Sequence, residues 1–141
     1  MKKVLGCLSM AALAVLLAAP VSAQTLSLRA SVPFDFVVSG HTLPAGDYLV
    51  SQANAERFLT IRNVSGSASP NVITLSVPGS LAAPGEASLT FHRYGSEYFL
   101  AQIWDGYTGQ GRSIWMSGSE KERANRASLN KPEVVMVLAR R

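Results

Sequence analysis

Five side chains in the second half of the chain have the chemistry to bind a ligand. An imidazole and four aromatic rings lie there among glycine-rich turns: His92, Tyr94, Trp104, Tyr107 and Trp115. Exposed rings beside polar groups are suited to stacking on sugars or on apolar molecules. We therefore regard these five residues as a candidate ligand-binding group. The alternative is that Trp104 belongs to the core and that the tyrosines lie at strand ends.

No combination of residues points to catalysis or to a metal site. His41 and His92 lack the spacing of a metal-binding pair, and a catalytic zinc ion needs several protein ligands. A Gly-x-Ser-x-Gly elbow is missing, and the Ser-x-x-Lys match at residues 128–131 falls immediately before Pro132. The glycine-rich segment 106–111 lacks the lysine and the following helix of a phosphate-binding loop. We predict a protein that is not an enzyme and that has no metal ion and no cofactor.

The N-terminal segment has the pattern of a secretion signal. Two lysines precede an apolar run that ends at Leu17, and Val21-Ser22-Ala23 has the small residues that precede a cleavage site. We interpret residues 1–23 as a signal peptide, which predicts export to the periplasm or the extracellular space. The apolar run is too short to make this a membrane-spanning protein. Cys7, the only cysteine, lies in this segment, so the exported part must fold without a disulfide.

The charge distribution does not favour a nucleic-acid partner. Without Lys2 and Lys3, the 13 basic residues fall to 11 against 9 acidic ones, which leaves a net charge of +2 for residues 24–141. The C-terminal quarter is basic and the rest is mildly acidic. In an exported chain with mixed charges this pattern is typical of a solvated surface. Residues 24–141 suffice for a single domain with one core.

The elements that must position these residues are strands, and the first has the clearest pattern. From residue 26 to residue 38 every even-numbered residue is apolar and most odd-numbered ones are polar. Because side chains alternate sides along a strand, this period of two predicts one long strand with a single inward face. The predicted inward set is Leu26, Leu28, Ala30, Val32, Phe34, Phe36 and Val38.

Six further segments have the alternation, or the turn boundaries, of short strands. In one of them Ile73, Leu75 and Val77 share one apolar face of the strand. The predicted strands are residues 47–53, 58–64, 71–77, 88–94, 97–105 and 112–116.

The clearest hairpin surrounds Gly95-Ser96, which suits a two-residue type II′ turn. This turn pairs Tyr94 with Glu97 and Phe91 with Leu100. The face that we predict to join the core consists of Leu89, Phe91, Tyr98, Leu100 and Trp104. The opposite, amphiphilic face consists of Thr90, His92, Tyr94, Phe99, Ala101 and Ile103.

In the C-terminal quarter the sequence pattern changes from that of a strand to that of a helix. Ser119 and Glu122 have the spacing of a capping box, and Glu122 and Arg126 that of an i,i+4 ion pair, which predicts a short helix that ends near Asn130. The run 134–139 is apolar on both faces and rich in β-branched residues. We therefore predict a last strand that is covered on both sides, paired with the first strand and shielded by the helix.

Together these segments predict a mainly β chain. About eight strands separated by short turns, with one short C-terminal helix before the last strand, indicate a single antiparallel β-barrel or β-sandwich. The first functional hypothesis is an exported, non-enzymatic module that binds a component of the envelope or an extracellular partner. The second is a barrel that carries a small apolar ligand. A hydrolytic enzyme is a third possibility that no residue pattern supports.

Five stretches of residues 24–141 form a recognisable set. They are Val32-Pro33-Phe34-Asp35-Phe36, residues 42–48, Phe91-His92-Arg93-Tyr94-Gly95, Tyr98-Phe99-Leu100 and residues 119–126. In these stretches the chain resembles an uncharacterised family of small exported bacterial proteins. The resemblance implies export and a β-rich fold, and it brings no activity, ligand or catalytic residue with it.

Overall fold

Ten strands and one helix make up the described part of the molecule. The computed structural model describes residues 26–53, 57–66, 70–78, 86–106, 109–127 and 131–141. The predicted signal peptide, residue Tyr107 and the predicted helix end at Asn130 lie outside the described residues. The elements are β1 (Ser27–Val32), β2 (Phe36–Val38), β3 (His41–Leu43), β4 (Gly46–Gln52), β5 (Phe58–Asn63), β6 (Asn71–Val77), β7 (Ser88–Tyr94), β8 (Glu97–Trp104), β9 (Gly111–Ile114), α1 (Gly118–Arg126) and β10 (Glu133–Arg140).

Eight of the strands close into an antiparallel barrel. Around the barrel the order is β1-β4-β5-β6-β9-β8-β7-β10, and β10 pairs again with β1. The strands β7, β8 and β9 are consecutive neighbours, and β10 returns to lie beside β7, which is a Greek-key arrangement. The predicted antiparallel barrel with a short helix before the last strand is confirmed, and closure decides between barrel and sandwich.

The first predicted strand has the predicted inward face but is not continuous. Pro33 has no amide hydrogen for a sheet ladder, and the carboxylate of Asp35 accepts a hydrogen bond from the Ala45 amide at 2.8 Å. The chain therefore breaks here, so that β1 pairs with β4 and β10 whereas β2 pairs with β3 and β8. The even-numbered residues still turn inward: Leu28, Ala30, Val32, Phe36 and Val38 are buried, and Leu26 and Phe34 pack against them.

The β2–β3 hairpin is an element that the sequence pattern did not predict. Its two-residue turn consists of Ser39 and Gly40, whose φ angles of 48° and 83° are both positive, as a type I′ turn requires. Phe36 and Leu43 place their side chains in the core, each 1% exposed. The hairpin therefore belongs to the packed body of the molecule.

Side chains fill the interior of the barrel. A barrel of about eight strands has room for packed side chains or for one small ligand. Leu28 and Phe91 are 0% exposed, and so is Tyr48, whose hydroxyl donates a hydrogen bond to the carbonyl of Pro44. Phe36 packs edge-to-face on Tyr48 and Phe91, with ring centroids 5.1 and 5.3 Å apart. These four residues are thus at most 1% exposed.

The β7–β8 hairpin has the predicted register near its turn. Tyr94 pairs with Glu97, and Phe91 pairs with Leu100. Gly95 has a φ angle of 65°, which the first central residue of a type II′ turn requires.

A β-bulge reverses the predicted faces farther from the turn. The register shifts between the Phe91–Leu100 pair and the Thr90–Gln102 pair, and Ala101 is the extra residue of β8. Ile103 is therefore buried in the core, and Trp104 lies on the outer face. The prediction placed these two residues the other way round, because strict alternation cannot include a bulge.

The apolar face predicted for β6 points outward. The register pairs Leu59 of β5 with Val72, and because Leu59 is buried, Val72 and Thr74 are buried with it. Ile73 and Leu75 therefore share one face, as predicted, and that face is on the solvent side.

The last strand pairs with β1 as predicted, but its outer face is open. Val134, Met136 and Leu138 are 62%, 49% and 60% exposed. The helix lies instead over β7 and β8, where its Glu120 contacts His92. The prediction that α1 covers β10 is wrong.

The helix begins two positions earlier than predicted, because its N-cap is Ser117 and not Ser119. Ser117 is the N-cap, with an extended backbone and a side-chain oxygen that accepts a hydrogen bond from the Glu120 amide at 3.2 Å. Ser119 therefore lies within the first turn. The predicted i,i+4 pair of Glu122 and Arg126 is present at 3.8 Å. Within the described ranges, no helix combines the length and the apolar character that crossing a bilayer requires.

Candidate binding cleft

The predicted ligand-binding residues fall in separate places. His92 and Tyr94 lie on the outer face of β7, Trp104 ends β8, and Trp115 lies in the segment between β9 and α1. Tyr107 lies outside the described residues. Tyr94 and Trp104 are at opposite ends of the hairpin, roughly 20 Å apart at the rise of a β-strand. Only His92 and Tyr94 come together.

His92 and Tyr94 belong to a cluster that holds the helix. The Nδ1 atom of His92 lies 3.1 Å from Oε1 of Glu120, a residue that is 4% exposed. The Tyr94 ring packs edge-to-face on Phe99 with centroids 5.7 Å apart, and Phe99 is 2% exposed. These side chains therefore attach α1 to the barrel and leave little surface for a ligand.

The pKa of Tyr94 and an ion pair of the helix both agree with a role of this cluster in holding the helix on the barrel. Burial and the nearby Glu120 carboxylate raise the pKa of the Tyr94 hydroxyl above its ordinary value of 10.0. A second ion pair, with 3.1 Å between Nη2 of Arg123 and Oε1 of Glu97, joins the helix to the hairpin turn. The helix is therefore anchored at two separate points.

Trp104 has a packing role against the neighbouring strand. It pairs with Gly111 of β9, and a Cβ atom at position 111 would lie 2.5 Å from Cζ3 of the indole ring. The ring thus occupies the space above the glycine, and the strand tolerates the glycine because the indole covers it.

An open cleft of about 650 Å³ lies beside Trp115, and we refer to it as the β6 cleft. It is bounded by β6, by the β2–β3 turn and by the segment that joins β9 to α1. Its apolar part consists of Ile73, Leu75, Trp115 and Met116, which are 53%, 46%, 60% and 38% exposed. Its polar part includes Ser39, Gly40, Arg57, Asn71, Ser117 and Ser119.

The cleft arises where β9 leaves the sheet. The strand pairs with β6 only as far as the pair of Ile114 and Thr74. The chain then departs to reach the helix N-cap at Ser117, and Trp115 and Met116 line the cleft beside β6. The outward row of β6 forms the opposite wall.

The described side chains of the cleft are apolar, hydroxyl, amide and guanidinium groups. Among the described lining residues there is no Asp, Glu, His, Cys or Lys that could act as a general base beside the hydroxyls. The hydroxyl oxygen of Ser117 is engaged in capping the helix. In the part of the chain that the structure describes, no group of acids, histidines or cysteines could hold a metal ion.

A second cleft, of about 830 Å³, is lined mainly by charged residues. Leu138 is the one large apolar side chain in its lining. The positive and negative charges of the lining compensate each other, so this cleft does not favour a ligand of either charge. The charged lining residues are Arg29, Asp47, Glu86, Asp105, Arg140 and Arg141.

Sequence reasoning identified Trp115 but missed its partners in the cleft. Ile73 and Leu75 were predicted only to share one face of their strand. Met116 was assigned to a strand that ends instead at Ile114. The register of β5 and β6, which pairs Leu59 with Val72, is the observation that identifies Ile73 and Leu75 as facing outward.

Comparison with protein-family models, with curated proteins and with solved structures found no match for this chain.

Proposed function

We propose that this chain is an exported, non-enzymatic β-domain that binds a component of the envelope or an extracellular partner through the β6 cleft. The observation that carries the proposal is the cleft itself. Four apolar side chains, each more than a third exposed, line one concavity that is rimmed by polar groups: Ile73, Leu75, Trp115 and Met116. Apolar patches of this kind mark interaction sites.

Export is part of the proposal and depends on the sequence of residues 1–23 and on the family resemblance. Cell fractionation followed by N-terminal sequencing tests it directly. We expect the protein outside the cytoplasm with Gln24 as its first residue. Retention of residues 1–23 on cytoplasmic protein contradicts this part of the proposal.

The second candidate function, carriage of a small apolar ligand inside the barrel, receives less support. Residues that would line such a cavity, among them Leu28, Tyr48 and Phe91, are 0% exposed. Native mass spectrometry of the purified protein tests for a carried molecule. A stoichiometric small-molecule adduct that disappears on unfolding would favour the carrier.

The binding proposal is tested by substitution in the cleft with a matched control elsewhere. The purified protein, immobilised, is incubated with detergent-solubilised envelope material. We expect Ile73→Ser and Trp115→Ala to abolish the retention of whatever the unaltered protein retains. Met136→Ser removes a similarly exposed apolar side chain from β10, outside the cleft, and should leave retention unchanged.

Two results contradict the proposal. One is equal retention by the unaltered protein and the two cleft variants. The other is an equal loss with Met136→Ser, which indicates nonspecific adhesion to exposed apolar surface rather than recognition by the cleft.

A further inference from the structure

Three arginines lie in one row across the outer face of the sheet. Arg140 of β10 pairs with Arg29 of β1. Arg29 in turn pairs with Leu49 of β4, and Leu49 pairs with Arg62 of β5. The three arginines are exposed, and the residues on either side of Arg29 and Arg62 are buried, so these two side chains point outward. The row therefore crosses four neighbouring strands, roughly 14 Å at the usual strand spacing.

Ion pairs do not compensate the charges of this row. Among the residues that the structure describes, no carboxylate lies within ion-pairing distance of Arg29, Arg62 or Arg140. Arg29 and Arg140 are directly opposite each other, and like charges in such a cross-strand pair lower the stability of a sheet. Asp47, an acid on the same face of β4, accepts a hydrogen bond from the hydroxyl of Ser31. The row thus has an excess of positive charge.

A small cleft lies between two of these arginines. It has a volume of about 280 Å³. Arg29 also lines the larger charged cleft, whose acids compensate its arginines, but the described lining of the small cleft contains no acid. The sequence around Arg62 contains none either, because no Asp or Glu occurs in residues 57–85. The residues that line the small cleft are Arg29, Leu49, Arg62, Asn63, Val64 and Gly66.

The spacing of the two arginines suits one small anion with several oxygens. Arg29 and Arg62 are two strands apart, about 10 Å between Cα atoms, so both guanidinium groups can approach one group from opposite sides. A carboxylate has a single charge and two oxygens, which one guanidinium can satisfy. A phosphate monoester has a charge of about −1.5 to −2 and three terminal oxygens, which is enough for two guanidinium groups.

We infer that the cleft between Arg29 and Arg62 binds a phosphate monoester group, with one guanidinium on each side of it. Arg140 adds a third positive charge beside Arg29, and the bound anion offsets the repulsion between these two arginines. The inference goes beyond the proposed function, because this site shares no lining residue with the β6 cleft. Either site can therefore fail its test without the other.

Titration calorimetry of the full exported protein at low ionic strength tests the inference. The probes are phenyl phosphate, which is a phosphate monoester, and benzoate, which is a carboxylate with the same ring. We expect phenyl phosphate to bind about tenfold more tightly, because it can satisfy both guanidinium groups. Arg29→Gln and Arg62→Gln should each weaken its binding about tenfold, as expected when charge-assisted hydrogen bonds are lost.

Arg126→Gln is the matched control. It removes one positive charge from α1, where the side chain is 71% exposed, and so lowers the net charge by the same amount as the other two substitutions. Its effect on the binding of phenyl phosphate should be less than about twofold, because exposed charges that lie far apart are screened. All three positions are exposed, so the urea denaturation curves should stay close to that of the unaltered protein.

Vesicles distinguish the sources of such a group. Phosphatidate in vesicles of phosphatidylcholine presents a phosphate monoester on a lipid. Sedimentation with these vesicles that Arg62→Gln abolishes would support the inference and assign the group to a lipid headgroup. Binding of phenyl phosphate without sedimentation would also support it and assign the group to a soluble or saccharide phosphate.

Three results overturn the inference. The first is the absence of measurable binding of phenyl phosphate at millimolar concentration. The second is equal affinity for phenyl phosphate and benzoate. The third is an equal loss of binding with Arg126→Gln and Arg62→Gln, which would indicate general attraction to a positively charged protein. None of these results bears on the proposed function, which is tested by substitution in the β6 cleft.

Discussion

Two walls of the barrel carry aromatic residues on their outer faces, and the chain covers only one of them. The covered wall consists of the outer faces of β7 and β8 with α1 upon them. The open wall consists of the outer face of β6 with the β6 cleft. In the covered wall Phe99 and Glu120 are 2% and 4% exposed, whereas in the open wall Ile73 and Trp115 are 53% and 60% exposed.

The difference shows what an aromatic residue needs in order to indicate a binding site. His92 and Tyr94 looked suitable in the sequence, yet they contact the helix that packs on them. Trp115 has the same general chemistry, but it stands on the wall of a concavity that the chain leaves open. Exposure on the wall of an open cleft, rather than residue type, separates Trp115 from His92 and Tyr94.

The largest expected effect comes from removing a ring in the covered wall. Phe99→Ala should lower the free energy of unfolding by about 3–5 kcal/mol, because removal of this buried ring leaves a cavity in the covered wall. Trp115→Ala in the open wall should change it by less than about 0.5 kcal/mol, as is usual for surface substitutions. Urea denaturation of the two variants measures both values, and similar losses would abolish the distinction between the walls.

A smaller effect tests the orientation of β6. Val72→Ala removes a side chain that is 0% exposed and should cost about 2 kcal/mol of unfolding free energy. Ile73→Ala removes a larger side chain from the neighbouring position and should cost less than about 0.5 kcal/mol, because that side chain is half in solvent. Thermal unfolding compares them, and a greater loss for Ile73→Ala would show that the strand is turned the other way.

The contact that attaches the helix to the covered wall should contribute less to the free energy of unfolding than the buried side chains of Phe99 and Val72. Glu120→Ala removes the carboxylate that contacts His92 and should cost about 1–2 kcal/mol. Glu122→Ala, on the solvent side of the same helix turn, is the matched control and should cost only a few tenths of a kcal/mol through its exposed pair with Arg126. Chemical denaturation measures both, and equal costs would mean that Glu120 does not anchor the helix.

The smallest effect is confined to alkaline pH. Because burial and the Glu120 carboxylate raise the pKa of Tyr94 above 10.0 in the folded protein, the neutral hydroxyl is favoured by folding. This contribution to stability is fully present below pH 10 and is lost as the pH rises through the folded-state pKa. The stability of Tyr94→Phe is measured against pH and compared with that of the unaltered protein. The difference separates the contribution of Tyr94 from that of Tyr48, whose pKa is also raised by burial.

Spectrophotometric titration of the phenols checks the cause. Glu120→Gln removes the nearby negative charge and should lower the pKa of Tyr94 toward its ordinary value. An unchanged titration curve would show that the carboxylate has no influence on this hydroxyl.

Local patterns predicted the strands well wherever alternation was uninterrupted. The inward positions of β1 followed from a period of two, and the hairpin turn at Gly95 followed from turn chemistry. The errors occurred where a single residue changed the geometry. Pro33 divided the first strand, and the bulge at Ala101 exchanged the faces of its strand.

The candidate site was less accessible to such reasoning because it is assembled from distant segments. Trp115 was recognisable by its type, but Ile73 is exposed only because its strand pairs with β5 in one register. Arg57 belongs to the candidate site only because the fold brings it to the same cleft as the N-terminus of α1. None of these relationships is a property of one stretch of sequence.

The amino-acid sequence by itself determined the class of structure, since alternation and turn residues act within a few positions and specify strands, hairpins and the cap of a helix. It also determined that no intrachain disulfide can form, because the chain has a single cysteine. Tertiary structure alone decided which apolar faces are covered. Burial depends on which strands become neighbours and where one strand leaves another, and these are long-range outcomes of packing the whole barrel at once.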